Sequence, residues 1–485
     1  MKTRPAFTVG AALFLFSACS AVQNFTKPEG NGGWSPAEQR EELGAIARDA
    51  GVSYDPAVPP VAPVARLDLL TALELAEKNN RRIEIAREQV ASAAEQVVDT
   101  RGRLLPATTG SGRYTWYSDT LRNQLQVDPS LLPPGFPNSF IIREKDFGVL
   151  NGTTQLALDV TGELRHALYA AQAGYRGEKA RLWATTLEQQ ILVVQSYFQH
   201  LEALRLRVVT EQTIASYRRQ LEDADSRFSA GRVTKNDVLV VQVALQDAEQ
   251  ELVRRDLEID RTRWNLNQAI GADINAPLTL ADVDSPPQLP SDDAALKAAF
   301  DSNPALGTLV QEQQRLDETV TSLERSRLPR PYAGGAIDYS SSEILQPQNY
   351  VSGFVGFTWD IGTDLRREAQ ISQARIASER NRTAIEVQMR DVENAVRSTH
   401  RSALERLSAY AKAQNAVVQA EENQRIRQQQ FGAGRAQSTD VLDADRLLAF
   451  QRATLATALY QAHTRRAELQ ELVGLPLEDI VPQQR

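Results

Sequence analysis

The sequence contains one cysteine, two methionines and four histidines in 485 residues. His166, His200, His400 and His463 lie far apart, and Cys19 sits at the end of an N-terminal leader-like stretch, far from all of them, so no Cys/His metal-binding spacing exists. This argues against structural zinc and thiol catalysis. Met389, the one methionine beyond the initiator, gives no sign of a methionine-lined path for soft metal ions. No P-loop, G-x-S-x-G or H-E-x-x-H pattern is present, so no enzyme signature competes and no cofactor or metal is expected. No apolar run reaches the roughly 20 residues of a membrane-spanning helix, so any membrane crossing must be made by strands. Neither charge dominates: Lys+Arg 54 against Asp+Glu 62 gives a net charge of -8, which offers nothing to nucleic acid.

Hydrophobic residues at 42% and charged residues at 24% are near the globular averages of roughly 45% and 25%. Lys2 and Arg4 precede the apolar stretch AFTVGAALFLF and then small residues, the order of a bacterial export signal over 1–18. Phe16-Ser17-Ala18-Cys19 is similar to a lipoprotein signal, in which Cys19 becomes the lipidated first residue; an ordinary signal peptide is the competing reading. Residues 19–66, with DPAVPPVAPVA, read as an extended, lipid-anchored arm.

The rest is duplicated. RFSAGRVTKNDVL aligns with QFGAGRAQSTDVL, and from Phe228 to Leu239 seven of twelve positions are identical at an offset of 203. Asp159/Asp360 and Arg165/Arg366 pair at offset 201, and Asn80/Asn303 and Pro106/Pro329 at offset 223. Two repeats, 67–274 and 292–475, are joined by a Pro/Asp-rich linker at 275–291 and followed by a tail at 476–485. The first carries 22 extra residues, in DTLRNQLQVDPSLLPPGFPNSF, which reads as a surface loop.

Each repeat predicts a short helix, a longer helix stopped by Pro106 or Pro329, two strands, and a long helical hairpin over 163–271 or 363–473. The strands, at about 107–118, 146–160, 331–340 and 350–361, alternate. Tyr114, Trp116, Leu150, Ile337, Tyr339, Val351, Val355 and Phe357 fall on one face, with polar residues on the other. Four strands cannot close a membrane barrel, and lipid tolerates no open edge. Three chains sharing a 12-stranded barrel would satisfy both. The first hairpin helix, 163–228, spans roughly 100 Å at 1.5 Å per residue. Leu187, Ile191, Val194, Phe198, Leu201, Leu204 and Val208 recur at threes and fours along it, a coiled-coil seam.

The twice-repeated F-x-A-G-R and D-V-L motif, the LDVTGELR and WDIGTDLR strand exits, and the RLLP and SRLP junctions resemble the TolC family of outer-membrane factors, in the lipoprotein branch of tripartite drug efflux. The resemblance covers about 69–475. It implies an α+β membrane protein: a homotrimeric 12-stranded barrel in outer-membrane lipid, continuous with a periplasmic α-helical coiled-coil tunnel that has a mixed region around its middle. It implies docking by the helix tips to a periplasmic adaptor protein and an inner-membrane pump.

Gly231 and Gly434 stand where each hairpin reverses, which turn geometry alone explains. On the resemblance, Ala230, Gly231, Arg232, Ala433, Gly434 and Arg435 are adaptor-docking positions. Asp237 and Asp440 match after the turns, where a carboxylate favours a helix N-terminus. Asp443 has Val240 as its counterpart. The resemblance makes Asp440 and Asp443 an acidic constriction, six carboxylates in a trimer; a solvated helix face is the alternative. Arg435 is a candidate partner for a gate carboxylate, although the family's gate arginine falls at Ala436. The expected function is a passive exit duct for small molecules. Type I protein secretion and a pore-free periplasmic coiled-coil lipoprotein are the alternatives.

Overall fold

The computed structural model describes residues 66–124, 133–135, 137, 139–342, 344, 347–361 and 365–477. The leader, Cys19 and nearly all of the N-terminal arm lie outside them, as does most of the expected tail. The first half contains α1 (Leu69–Asn79), α2 (Arg81–Gly102), β1 (Ala107–Trp116), β2 (Leu121–Gln124), β3 (Ser139–Arg143), β4 (Asp146–Ala157), α3 (Glu163–Ser229) and α4 (Lys235–Ala269). The second contains α5 (Asp292–Ser302), α6 (Pro304–Arg325), β5 (Arg330–Ser340), β6 (Asn349–Thr358), α7 (Leu365–Gly432) and α8 (Ser438–Val473).

The same chemistry punctuates both halves. Asn80 ends α1 and caps α2, its side chain accepting from the Arg82 N–H at 2.9 Å. Asn303 does this between α5 and α6, accepting from Leu306 at 3.0 Å. Each short side chain supplies an acceptor that the first helical turn lacks. Asp159 starts α3 by accepting from the Leu164 and Arg165 N–H groups at 3.1 and 3.0 Å. The two longest helices have 67 and 68 residues, roughly 100 Å each. Among the described residues, no helix is long and apolar enough to cross a membrane.

The main sheet is antiparallel in the order β1-β4-β5-β6, so β1 and β6 are its edges. Its register pairs Leu150 with Gly112 and Tyr339, and Ile337 with Val351, placing the expected apolar positions on one face. That face is uncovered: Trp116 is 65% exposed, Val351 77% and Val355 80%. The opposite face departs from the expected polar surface. Asn151 donates to Asp338 across the strands, but Tyr332 and Phe354 also lie there, packed against Gly356 and Gly334. A Cβ on Gly334 would lie 2.5 Å from the Thr154 carbonyl oxygen and 2.7 Å from Phe354 Cζ, so the aromatic ring occupies the space a side chain would take.

The described ends of the inserted segment take part in strands, where its Pro, Gly and Asn content predicted a surface loop. β2 and β3 pair as a separate hairpin with a register shift between Leu121 and Arg122. At its base the Arg143 guanidinium lies 3.9 Å from the Tyr117 ring centroid, and Tyr117 stacks on Phe147. These contacts involve residues distant in sequence, so local composition does not reveal them.

The largest core lies midway along the long helices. Leu187, Ile191, Val194, Phe198 and Leu201 are buried together with Leu69 and Leu73 of α1 and Tyr460 of α8. Val208, expected in the same seam, is 43% exposed in the single chain. Leu67 pairs in parallel with Leu280 of the linker, and the Tyr197 hydroxyl lies 3.2 Å from the Leu67 carbonyl oxygen and 2.6 Å from that of Ala281. Tyr460 donates to Asp282 at 2.7 Å, and His463 Nε2 reaches the Ser285 carbonyl at 2.9 Å. The linker is thus strapped across α3 and α8.

Candidate functional site

The two hairpin ends are built alike. The Gly231 and Gly434 φ angles are 69° and 71°, in the left-handed region that glycine enters cheaply. At the first turn, Gly231 N–H donates to Phe228 and Arg232 N–H to Arg227, closing the last carbonyls of α3 at 2.9 and 2.8 Å. At the second, Gly434 donates to Phe431 and Arg435 to Gln430, at 3.0 and 2.8 Å. Ala230, Arg232, Ala433, Gly434 and Arg435 are exposed around these turns. Among the described residues Arg435 forms no ion pair within the chain, and the cation beside Asp443 is Arg446.

The matched carboxylates serve the outgoing helices. Asp237 accepts from the Thr234 N–H at 2.9 Å, while Asp237 N–H donates to Thr234 Oγ1 at 3.3 Å, a reciprocal capping box. Asp440 accepts from the Gln437 N–H at 2.9 Å. Each negative charge also faces the positive end of its helix. Asp443 lies one turn on, with its side chain 74% exposed and Arg446 3.5 Å away. An exposed pair of this kind is weak, so Asp443 remains available to water and ions.

Sequence reasoning missed Asp445. It is 3% exposed and lies where α8 meets α3 and α7. Ser216 Oγ donates to its Oδ2 at 2.6 Å, Gln220 Nε2 donates to the same oxygen, and Gln424 Nε2 donates to Oδ1 at 2.6 Å. The signal was present in the duplication: at offset 203, Asp445 corresponds to Gln242 and Gln424 to Leu221. Arg227 is a second missed residue. It donates to the Phe431 carbonyl at 3.0 Å, and its guanidinium carbon lies 4.6 Å from the Phe431 ring centroid.

Among the described residues, no group of three or more His, Cys, Asp or Glu side chains could hold a metal ion. The region offers capped helix ends, exposed charge and interhelical bonds.

The outer membrane efflux protein family model matches residues 72–272 and 295–475, one segment in each repeat. Solved structures share the fold. CusC matches with a TM-score of 0.72 and 16% identity, over 87% of this chain and 98% of that one. The outer membrane protein VceC of Vibrio cholerae matches with a TM-score of 0.69 and 15% identity, over 84% and 96%. The outer membrane channel CmeC of Campylobacter jejuni matches with a TM-score of 0.69 and 16% identity, over 84% and 85%. No curated protein matches the chain in sequence. With more than half of its length matched by the family model, this chain belongs to the outer membrane efflux proteins, the TolC-like outer-membrane factors.

Proposed function

We propose that the chain is the outer-membrane exit duct of a tripartite efflux system. Three copies form a passive conduit for small molecules driven by an inner-membrane pump and delivered through a periplasmic adaptor. The observation that carries this reading is the sheet: four strands, two unpaired edges and an uncovered apolar face. In lipid every backbone group must be paired, and closed barrels have about eight strands or more. Joining β1 of one copy to β6 of the next closes twelve strands from three copies. The long helices support the same arrangement, since Leu257 at 65%, Val418 at 66% and Phe450 at 65% exposure present apolar surface to neighbours.

On this reading the hairpin ends face the periplasmic partners. Ala230, Gly231 and Arg232 with Ala433, Gly434 and Arg435 form the docking rim. Asp440 and Asp443 face the narrow end of the tunnel, where a carboxylate ring favours cations. Cys19 carries the lipid that fastens each arm to the membrane. The test is single-channel conductance of purified protein in planar bilayers, wild type against Asp440→Ala/Asp443→Ala. A small cation-selective conductance that rises in the double variant supports the duct and its acidic gate. Absence of conductance from both, with no trimer in the outer-membrane fraction, overturns the reading in favour of a pore-free lipoprotein.

A further inference from the structure

The face of the main sheet opposite its uncovered apolar side has an order of its own. Along β5 and β6 the cross-strand pairs on it are Tyr332 with Gly356, Gly334 with Phe354, Ala336 with Ser352, and Asp338 with Tyr350. The Tyr332 and Phe354 rings meet edge to face at 6.1 Å, each packed against the glycine opposite it. Four residues before Phe354, about 13 Å away at roughly 3.3 Å per residue, Tyr350 stands opposite Asp338 and is 54% exposed. Between these two ends lie only Ala336 and Ser352, with Thr153 of β4 paired beside Ala336. Large side chains thus bound a floor of small ones, and the stretch forms a shallow slot.

The charges on this face are placed unevenly. Asn151 donates to Asp338 Oδ1, and among the described residues no Arg or Lys forms an ion pair with that carboxylate. Arg330, at the far end of β5, is engaged by Glu163 and Asp360 at 3.4 and 3.3 Å. Arg113 shares the face from β1, two strands away from Asp338. The slot therefore offers an anion and a ring at one end and a pair of rings at the other. A cation is attracted both by a carboxylate and by the face of an aromatic ring, and a flat aromatic body stacks on rings. A compact ammonium ion would use only the first end, and a neutral planar molecule only the second.

We infer that this slot binds planar aromatic cations, Asp338 and Tyr350 holding the charge while Phe354 stacks on the ring system. This rests on the duct reading, which turns the face toward the lumen and puts one slot per copy on the inner wall of the barrel. A shallow site suits a conduit, because cargo must bind well enough to enter and weakly enough to leave.

The test titrates proflavine, a fused three-ring cation, against the full-length protein in lipid nanodiscs, read by fluorescence anisotropy, with planar-bilayer conductance recorded in parallel. Asp338→Asn removes the charge and keeps the shape; Phe354→Leu removes the ring and keeps an apolar side chain. Each should weaken proflavine binding roughly tenfold, the scale of one cation–π or stacking contact. Gly110→Ala, on the opposite face, should bind as wild type does. Tetrapropylammonium, which has the charge without the plane, should displace proflavine only at much higher concentration. If Phe354→Leu yields no trimer, Asp338→Asn and Tyr350→Leu decide. Equal binding by wild type and the slot variants, with or without lower heat stability, means that the rings only cover the glycines and overturns the slot, while conductance keeps the duct. Equal loss in Gly110→Ala, or easy displacement by tetrapropylammonium, also overturns it. Absence of both trimer and conductance in wild type overturns the duct and the slot with it.

Discussion

Arg227 of the first hairpin holds Phe431 of the second twice, by a 3.0 Å hydrogen bond to its carbonyl and by a guanidinium 4.6 Å from its ring centroid. The carbonyl belongs to the last turn of α7, where a cation also meets the negative end of the helix. Asp223 orients the guanidinium from the other side at 3.0 Å. The two hairpin ends of one chain are therefore joined side by side.

Arg227→Ala removes both interactions, worth about 2 kcal/mol together in a partly buried setting. Amide hydrogen exchange over 427–436 should accelerate by roughly 30-fold while the middle of α7 stays protected. Arg227→Lys should restore only part of the protection, because an ammonium lacks the planar fork.

Burial pushes His200 and His463 down to about 4, with the Arg263 charge contributing at His200. Unfolded, both titrate near 6.5, so between these values the unfolded chain binds more protons. Their contribution to stability is complete above about 6.5 and is lost as pH falls toward 4, by about 3 kcal/mol for each histidine. Heat stability measured from pH 8 to pH 4 should drop across this window, and His463→Gln should flatten the curve.

Glu471 responds in the opposite sense. Burial, reinforced by Glu468 and Glu188, raises it to about 7 from 4.5. A carboxyl with a raised folded value contributes stability below its unfolded value and loses it as pH rises through about 7. Glu471→Gln should therefore be more heat-stable than wild type at pH 8 and indistinguishable from it below pH 4.5, as read by thermal melts at the two pH values.

Gly334→Ala should impair the sheet, because the added carbon meets a backbone oxygen and a ring that cannot both retreat. Overpacking of this kind costs about 3 kcal/mol or more. Gly110→Ala in β1 meets nothing within 4 Å and serves as the control. Heat-resistant oligomer on gels should fall for Gly334→Ala and persist for Gly110→Ala.

The helices and strands were legible because they rest on periodicity and on local stops. Asn80, Asn303 and Asp159 act within a few residues of themselves, and both glycine turns are written into one repeated motif. What escaped rests on partners far along the chain. Asp445 looks like one more charge in DVLDADR until Ser216 and Gln220, more than 220 residues away, close over it. Arg227 reads as an ordinary helix-end cation, and Phe431 as half of a repeat. The β2/β3 hairpin was hidden for the same reason, since Pro and Gly mark a turn without saying what its flanks pair with. Subtracting one repeat from the other exposed Asp443, and the same subtraction two residues on points to Asp445.

The unpaired edges of β1 and β6 bear on how the protein is made. If the sheet enters the membrane as the shared barrel proposed above, a lone chain would carry two rows of unsatisfied backbone groups into hydrocarbon, and membrane entry would wait for its neighbours. The helical part has its own core around Phe198 and Tyr460 and its own capped ends, and nothing obliges it to wait. On that proposal, insertion and association would be a single concentration-dependent event that follows folding of the helices, and a chain kept too dilute would remain an aggregation-prone intermediate with its strands exposed.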